Sequence, residues 1–192
     1  MPRPETEMLV DEVLAEIESR DVTELVVADI GTGSGAIALA IATNSPTARI
    51  YAVDISRKAL AVAKENLARL DTRGQVTLLR GDLLTALPEA VDIIVANLPY
   101  VSAEEYRSLE PTVKHYEPKL ALESGEKGLD AIARLLRQIQ GKLRPGGMIY
   151  MEIGWQQGDA VAQLARDLLP HVRDIAVHHD YQGHQRMVAI AT

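Results

Sequence analysis

The stretch Asp29-Ile30-Gly31-Thr32-Gly33-Ser34-Gly35 decides the fold of this chain. It follows the β-branched run Val26–Ile30 and precedes an apolar helical stretch, so it joins a strand to a helix. Its three alternate glycines allow a sharp turn and a close approach of the backbone to a ligand. Nicotinamide and flavin proteins use similar turns, so the stretch by itself predicts a nucleotide-like cofactor without identifying it.

Short β-branched runs alternate with stretches of helical periodicity on either side of this turn. Apolar residues recur at helical spacing in the opening segment, in the stretch that Ser56 caps, and over Leu129–Leu143, where Arg144-Pro145-Gly146-Gly147 is expected to end the helix. The strands are predicted at Val26–Ile30, Arg49–Asp54, Gln75–Arg80, Asp92–Asn97 and Met148–Ile153. This alternation predicts a parallel sheet with helices on both faces.

An acidic residue stands at the end of each of the first three predicted strands. Asp54 follows the first glycine of the turn by twenty-three residues, a spacing that suits a carboxylate binding ribose hydroxyls. Asp82 is placed to accept a hydrogen bond from an adenine amino group, and Asp29 would repel a pyrophosphate but attract the ammonium group of a methionine. The three acids therefore favour S-adenosylmethionine over a phosphorylated dinucleotide. The predicted cofactor-binding residues are Asp29, Gly31, Thr32, Gly33, Gly35, Asp54, Ile55, Asp82, Leu83 and Asn97.

The last two strand-like runs break the alternation. Val172–His179 and Arg186–Ala191 are joined through Asp180–His184, a segment too short for a crossover helix. They are predicted to pair as an antiparallel hairpin at one edge of the sheet. Five parallel strands followed by such a hairpin match the doubly wound, seven-stranded, Rossmann-like α/β sheet of class I S-adenosylmethionine-dependent methyltransferases better than a dehydrogenase sheet.

The fourth predicted strand ends in Asn97-Leu98-Pro99-Tyr100, which resembles the Asn-Pro-Pro-Tyr signature of methyltransferases acting on planar –NH2 groups. Such a nitrogen, in adenine, guanine or a glutamine amide, shares its lone pair with an adjacent π-system and is a poor nucleophile. The Asn97 side-chain oxygen and the Leu98 carbonyl are candidate acceptors that orient its hydrogens and stabilise the developing charge. Tyr100 is expected to stack on the flat group. The alternative is that these residues only end a strand and begin a loop.

The composition of the chain limits the class of its partners. With 192 residues, of which 47% are hydrophobic, residues 1–192 are expected to form a single methyltransferase domain. A net charge of −7 with scattered basic residues counts against nucleic acid as the direct substrate. There is no cysteine, no apolar run long enough for a membrane helix and no signal-peptide pattern. We therefore expect a cytoplasmic protein without membrane association, and the five histidines do not predict a metal site.

With these motifs in order, the whole chain resembles the HemK/PrmC family, the glutamine N5-methyltransferases of peptide release factors. The segments that carry the resemblance are Arg3-Pro4-Glu5-Thr6-Glu7, Glu117-Pro118-Lys119-Leu120-Ala121-Leu122 with Gly125-Glu126-Lys127-Gly128-Leu129, Glu152-Ile153-Gly154 with Gln157-Gly158, and Asp180 with Gly183 and Arg186. The chain departs from the family at Leu98, where the family usually has proline. It also starts at the first of these segments, so we expect the catalytic domain without the family's N-terminal helical domain.

The resemblance implies methyl transfer from S-adenosylmethionine to the side-chain amide nitrogen of the glutamine in the Gly-Gly-Gln loop of a release factor. The implied catalytic residues are Asn97, Leu98, Pro99 and Tyr100. The implied substrate-binding residues are Arg3, Glu5, Thr6, Asn97, Pro99 and Tyr100. Two other functions stay open: an adenine or guanine amino-methyltransferase acting on RNA or DNA, and a binding module that keeps the cofactor fold without catalysis.

Overall fold

The computed structural model of the chain describes residues 4–70, 74–110, 112, 114 and 118–192. The strands are β1 (Leu25–Ile30), β2 (Ala48–Asp54), β3 (Val76–Arg80), β4 (Val91–Ala96), β5 (Leu143–Glu152), β6 (Asp174–His179) and β7 (Gln185–Ala191). They form a seven-stranded sheet in the order β3-β2-β1-β4-β5-β7-β6. The first five strands run parallel, and β7 runs antiparallel to both β5 and β6. The predicted doubly wound sheet and its C-terminal edge hairpin are thereby confirmed.

Helices cover both faces of this sheet. They are α1 (Pro4–Ser19), α2 (Ala36–Asn44), α3 (Arg57–Arg69), α4 (Ala103–Ser108), α5 (Asp130–Arg137) and α6 (Gly158–Leu168). Ser56 caps α3, since its hydroxyl oxygen accepts a hydrogen bond from the Ala59 backbone N–H at 3.3 Å. Within the part of the chain that the structure describes, none of the helices is long and apolar enough to span a bilayer.

Strand β1 lies in the middle of the core and is buried along its whole length. Its even-numbered residues pack into the cluster that includes α5 and α6, whereas Leu25 and Val27 pack into the cluster formed with α1 and α2. A strand buried on both faces requires an uninterrupted apolar run, and Leu25–Ala28 is such a run. The glycine-rich turn therefore projects from a rigid support.

The fifth strand and the helix before it differ from the prediction. The helix expected over Leu129–Leu143 ends at Arg137, and the strand expected from Met148 already begins at Leu143. Leu143 pairs with Val91 at the start of β4, and the Arg144 guanidinium forms ion pairs with Asp92 and Glu89 at 2.7 and 3.2 Å. The run Arg144-Pro145-Gly146-Gly147 is thus a bulge inside β5 instead of a stop, because the pairing register shifts there.

The parallel direction of β1 to β5 brings their carboxyl ends to one edge of the sheet. In such sheets ligands bind outside this edge, near the point where the strand order reverses. Here the reversal lies between β1 and β4, the strands that carry the glycine-rich turn and Asn97 at their ends. The candidate site is therefore expected at this edge.

Candidate active site

The glycine-rich turn after β1 packs directly against the loop after β4. Gly31, Gly33 and Gly35 have φ values of 76°, 57° and 81°, a backbone region that residues with a Cβ rarely adopt. A Cβ on Gly31 would lie 2.9 Å from Leu98 Cδ2. The Leu98 side chain is buried under the turn. Leucine at position 98 is therefore held by packing where the related signature has proline.

Asp29 places a carboxyl group in the interior, next to the turn. It is 0% exposed, and its Oδ2 accepts hydrogen bonds from Thr32 Oγ1 at 2.6 Å and the Ala38 N–H at 3.1 Å. Burial raises the pKa of Asp29 from 3.8 to about 6, although both hydrogen bonds act in the opposite direction. Its Oδ1 has no hydrogen-bond partner among the described residues. An ammonium group that donates to this oxygen would complete the site, which fits the methionine end of S-adenosylmethionine.

Asp54, at the end of β2, fixes the shape of the turn and keeps acceptor capacity. Its Oδ2 accepts from the Gly33 N–H at 2.9 Å, and its Oδ1 accepts from the Ser56 N–H at 2.7 Å. A carboxylate offers about four lone-pair positions, so two remain for ribose hydroxyls. Ile55 next to it is 50% exposed, an apolar surface beside a polar anchor. This combination fits a nucleoside.

The turn after β3 holds the third predicted acid in an arrangement that the sequence did not indicate. The Asp82 carboxylate is half-exposed and forms an ion pair with Arg134 of α5. Leu83 follows with φ of +52°, a left-handed conformation that is costly for a residue with a branched side chain. Such strain clusters at binding sites. The strained turn is therefore typical of a segment that faces a ligand. Its Asp82 carboxylate is at the same time paired with the Arg134 guanidinium.

Asn97, immediately after β4, is held by a buried carboxylate. Its Nδ2 donates to Glu152 Oε2 at 2.7 Å and to Thr6 Oγ1 at 3.3 Å. The Thr6 hydroxyl donates to the same Glu152 oxygen at 2.8 Å, and the Tyr100 hydroxyl lies 3.4 Å from Glu152 Oε1. Glu152 itself is only 3% exposed. Three of the predicted site residues therefore meet on one acid.

The sheet register explains why Asn97 and Glu152 meet. Ala96 of β4 pairs with Met151 of β5, so the residues that follow each of them stand side by side. Thr6 reaches them from the first turns of α1, which packs on β4 and β5. Of the other predicted N-terminal residues, Glu5 lies in the first turn of α1 and Arg3 lies outside the described residues, as does Glu117 of the later segment.

Two further segments support the backbone of the Asn97–Tyr100 loop. The Gln157 side-chain amide donates to the Tyr100 carbonyl at 2.9 Å and to the Lys127 carbonyl at 3.2 Å, while its oxygen accepts from the Gly154 N–H at 2.9 Å. A Cβ on Gly128 would lie 2.1 Å from the Tyr100 carbonyl oxygen. Two of the segments that carry the resemblance to the HemK/PrmC family therefore contact the candidate catalytic loop directly: Gly125–Leu129, and Glu152–Gly154 with Gln157-Gly158.

A cleft of about 340 Å³ opens beside Tyr100. Its lining includes Tyr100, Leu109, Trp155, Gln156 and Arg186. Arg186, on the closing hairpin, donates through Nε to Asp180 at 2.8 Å. This bond, with the His184 and Gln182 backbone N–H groups, lowers the pKa of Asp180 to about 2. The hairpin thus presents a fixed ion pair next to the site, and the exposed Trp155, which follows β5, lines the same cleft.

Sequence reasoning missed the roles of Glu152, Gln157 and Arg134. A signal existed for Glu152, because an acid that ends the strand next to β4 must lie beside the residue after β4. Gln157 lies in a segment that carries the family resemblance, but its contacts and those of Arg134 depend on how the segment before α6 and α5 pack against the loops, which no local pattern indicates.

The chain matches the family model described as methyltransferase small domain over residues 5–115. It is 41% identical to a release factor glutamine methyltransferase of Bacillus cereus, over 98% of this chain and 67% of that protein. It is 45% identical to a protein of the same name from Moorella thermoacetica, over 97% and 65% of the two chains. The chain thus spans about two thirds of the length of the curated relatives that it matches.

Solved structures agree with these sequence relationships. A release factor-specific protein-(glutamine-N5) methyltransferase from Alicyclobacillus acidocaldarius superposes with a TM-score of 0.60 at 27% identity, over 100% of this chain and 93% of that one. An rRNA methylase from Streptococcus thermophilus gives a TM-score of 0.61 at 20% identity, over 100% and 98% of the two chains. The second likeness concerns the fold alone.

Proposed function

The chain belongs to the family of release factor glutamine methyltransferases, and on that premise we propose that it methylates the glutamine side chain in the Gly-Gly-Gln loop of a peptide chain release factor. The methyl donor is S-adenosylmethionine, which supplies an electrophilic methyl group on a sulfonium. Because release factors act in translation, the proposed location is the cytoplasm. The proposed catalytic unit is residues 1–192.

One observation carries the proposal: the amide of Asn97 is held with its nitrogen on Glu152. In this orientation Oδ1 stands on the other side of the amide and accepts one N–H of the substrate glutamine. The Leu98 carbonyl accepts the other. Two fixed acceptors orient the substrate nitrogen and stabilise the positive charge that develops on it. Tyr100 stacks on the flat amide, and the proton leaves to solvent after transfer.

Different cofactor residues bind different parts of S-adenosylmethionine. Asp29 binds the ammonium group, Asp54 binds the ribose hydroxyls, and the exposed Ile55 contacts the adenine ring. The Asp82 carboxylate accepts a hydrogen bond from the adenine amino group while it stays paired with the Arg134 guanidinium. Leu83, the next residue, borders the adenine as well. The glycine-rich turn, with Thr32 against Asp29, lies under the methionine portion.

A second group of residues is proposed to bind the substrate. Thr6, Pro99 and Tyr100 border the position of the glutamine amide, with Arg3 and Glu5 in the same N-terminal segment. The cleft beside Tyr100 takes the neighbouring residues of the loop, because Trp155 and Leu109 offer apolar surface and glycines allow the close approach. A protein loop fits the acidic net charge of −7 better than a phosphate backbone does.

The proposal is tested by incubating the chain with S-adenosylmethionine and a purified bacterial release factor, followed by peptide mass spectrometry. We expect a single added methyl group on the glutamine of the Gly-Gly-Gln loop. Binding of S-adenosylmethionine without any methylation of the release factor would leave the fold and cofactor assignments standing and move the substrate towards nucleic acid.

Two variants separate the proposed roles. Asn97→Ala should abolish methyl transfer while the Kd for S-adenosylmethionine stays near that of the wild type, because Asn97 acts on the substrate. Asp54→Ala should weaken cofactor binding by about 10-fold or more, because it removes hydrogen bonds between a charged group and the ribose hydroxyls. If Asn97→Ala lost cofactor affinity and kept its activity, the catalytic loop would be wrongly assigned.

A further inference from the structure

Glu152 is a buried carboxylate at the candidate active site, and the proposed function gives it no contact with the substrate. Among the described residues, three side-chain donors converge on it, from Thr6, Asn97 and Tyr100, at 2.8, 2.7 and 3.4 Å. A buried acid with this many donors serves as an acceptor, and its hydrogen bonds are of the strong, charge-assisted kind. It is the last residue of β5, is 3% exposed, and lies beside α1 and the residue that follows β4.

The side chain of Asn97 has two nearly isosteric orientations with opposite chemistry. In one, Oδ1 faces the substrate and accepts its N–H. In the other, the Asn97 –NH2 group meets the substrate –NH2 group, and no acceptor is available. An amide oxygen placed 2.7 Å from a carboxylate oxygen would be repelled, so only Nδ2 is tolerated on the Glu152 side.

We propose that Glu152 is the positioning residue of the reaction, selecting the orientation of the Asn97 amide in which Oδ1 faces the substrate nitrogen. Its negative charge also polarises that amide, because hydrogen bonds in a chain strengthen one another, and so makes Oδ1 a better acceptor. Thr6 links this pair to α1, since its hydroxyl bonds to the same Glu152 oxygen. The kinetic part of this inference rests on the proposed function, whereas the orientation of Asn97 does not.

A role confined to stability is the competing explanation. Glu152 joins α1 to the sheet through Thr6, so its removal is expected to lower the melting temperature in either case. The two explanations differ in what happens to the Asn97 amide in the folded protein, and in whether the loss falls on kcat or on binding.

The first measurement follows the asparagine side chains by NMR. The chain contains three asparagines, so selective 15N-asparagine labelling gives three side-chain –NH2 pairs. Asn44 and Asn66 donate to backbone carbonyls at exposed positions and serve as internal controls. The pair lost in Asn97→Asp identifies Asn97. We expect it to be protected from solvent exchange in the wild type, and to exchange about 10-fold faster or more in Glu152→Met, which keeps the bulk but removes the acceptor.

The second measurement is the methylation rate of the release factor. We expect Glu152→Met to lower kcat about 10- to 100-fold, with the KM for the release factor and the Kd for S-adenosylmethionine within about threefold of the wild type. Glu152→Gln keeps one acceptor oxygen and should recover much of both the protection and the rate. The matched control is Glu89→Gln, which removes a charge that binds Arg49 and Arg144 at the opposite end of the strands and should leave kcat unchanged.

The outcomes are separable. If the wild type does not methylate the release factor, the proposed function fails and the exchange measurement alone decides the orientation of Asn97. If the wild type is active but Glu152→Met keeps the Asn97 protection, or keeps kcat within about twofold, the inference is overturned. Should Glu152→Met not fold, Glu152→Ala replaces it, since alanine also removes the acceptor, and unchanged Asn97 protection and kcat in that variant would overturn the inference equally. An Asn97 –NH2 pair that exchanges in the wild type as fast as those of Asn44 and Asn66 would overturn it without any variant.

Discussion

At the scale of single residues, the site depends on two buried carboxylates that sit in different surroundings. Glu152 accepts hydrogen bonds from three side chains. Asp29 is hydrogen-bonded to the described residues through one oxygen only, to Thr32 and Ala38. Removing a carboxylate from water favours its protonated form unless donors compensate, which is why burial dominates the pKa of Asp29. Asp29 is therefore an acid whose charge depends on what binds next to it.

The pH dependence of cofactor binding should report this acid. The pKa of Asp29 is about 6, so the carboxylate proposed to bind the ammonium group is charged above that pH and neutral below it. Titrations with S-adenosylhomocysteine should give a Kd about 10-fold weaker at about pH 5 than at about pH 7.5. Asp29→Asn should bind weakly at both values. A wild-type Kd that did not change over this range would place the ammonium group elsewhere.

The same acid gives a stability prediction of defined sign. The pKa of Asp29 is raised on folding, so its favourable contribution to the free energy of unfolding is complete below about pH 4 and is lost as the pH rises through about 6. In the absence of cofactor, Asp29→Asn should become more stable relative to the wild type as the pH rises through this window. Denaturant titrations at both ends measure the difference. A difference of the opposite sign would contradict the burial of a neutral carboxyl.

At the scale of elements, the loops at the carboxyl edge are built by strands and supported by one another. The sequence predicted six of the seven strands to within two residues at each end, because β-branched runs and acidic strand ends are local signals. It misplaced the start of β5, since pairing of Leu143 with Val91 and the ion pair of Arg144 with Asp92 are contacts between distant segments. The predicted acids were found at the edge, but the contact of Asp82 with Arg134 depends on the packing of α5, which no local pattern records.

The support given to the Asn97–Tyr100 loop predicts different effects for two glycines of similar conformation. Gly128 and Gly141 have φ values of 72° and 74°, so alanine at either position costs about 1–2 kcal/mol of stability. At Gly128 the added Cβ would also lie 2.1 Å from the Tyr100 carbonyl oxygen, whereas at Gly141 it would meet no heavy atom of the described residues within 4 Å. We expect Gly128→Ala to lose further stability and most of kcat, because the catalytic loop must move.

Gly141→Ala is the matched control for this effect. Its free energy of unfolding, measured by chemical denaturation, should fall only by the cost of the left-handed backbone conformation. Its kcat should equal that of the wild type. Equal losses of kcat in the two variants would mean that the segment around Gly128 does not position the Tyr100 backbone.

At the scale of the whole molecule, charge separates the proposed protein substrate from the nucleic-acid alternative. The chain carries twenty basic and twenty-seven acidic residues. Within the described residues, five arginines are already paired with carboxylates: Arg20, Arg49, Arg134, Arg144 and Arg186. An enzyme that makes six to ten phosphate contacts loses about 10³- to 10⁵-fold in affinity between about 50 and 200 mM salt. A protein loop bound by apolar contacts and hydrogen bonds is far less sensitive to salt, so substrate class can be read from this dependence.

We therefore expect kcat/KM for the release factor to change less than about 10-fold over the same salt range, and the chain to pass through a heparin column at about 150 mM salt. The comparison isolates the substrate surface, because the roles proposed for Asn97 in methyl transfer and for Asp54 in cofactor binding are the same for a glutamine amide and for an adenine amine. Retention on heparin together with a steep loss of activity in salt would require a basic surface formed by the remaining lysines and arginines. That surface would point to RNA or DNA as the substrate while leaving the methyl-transfer site as described.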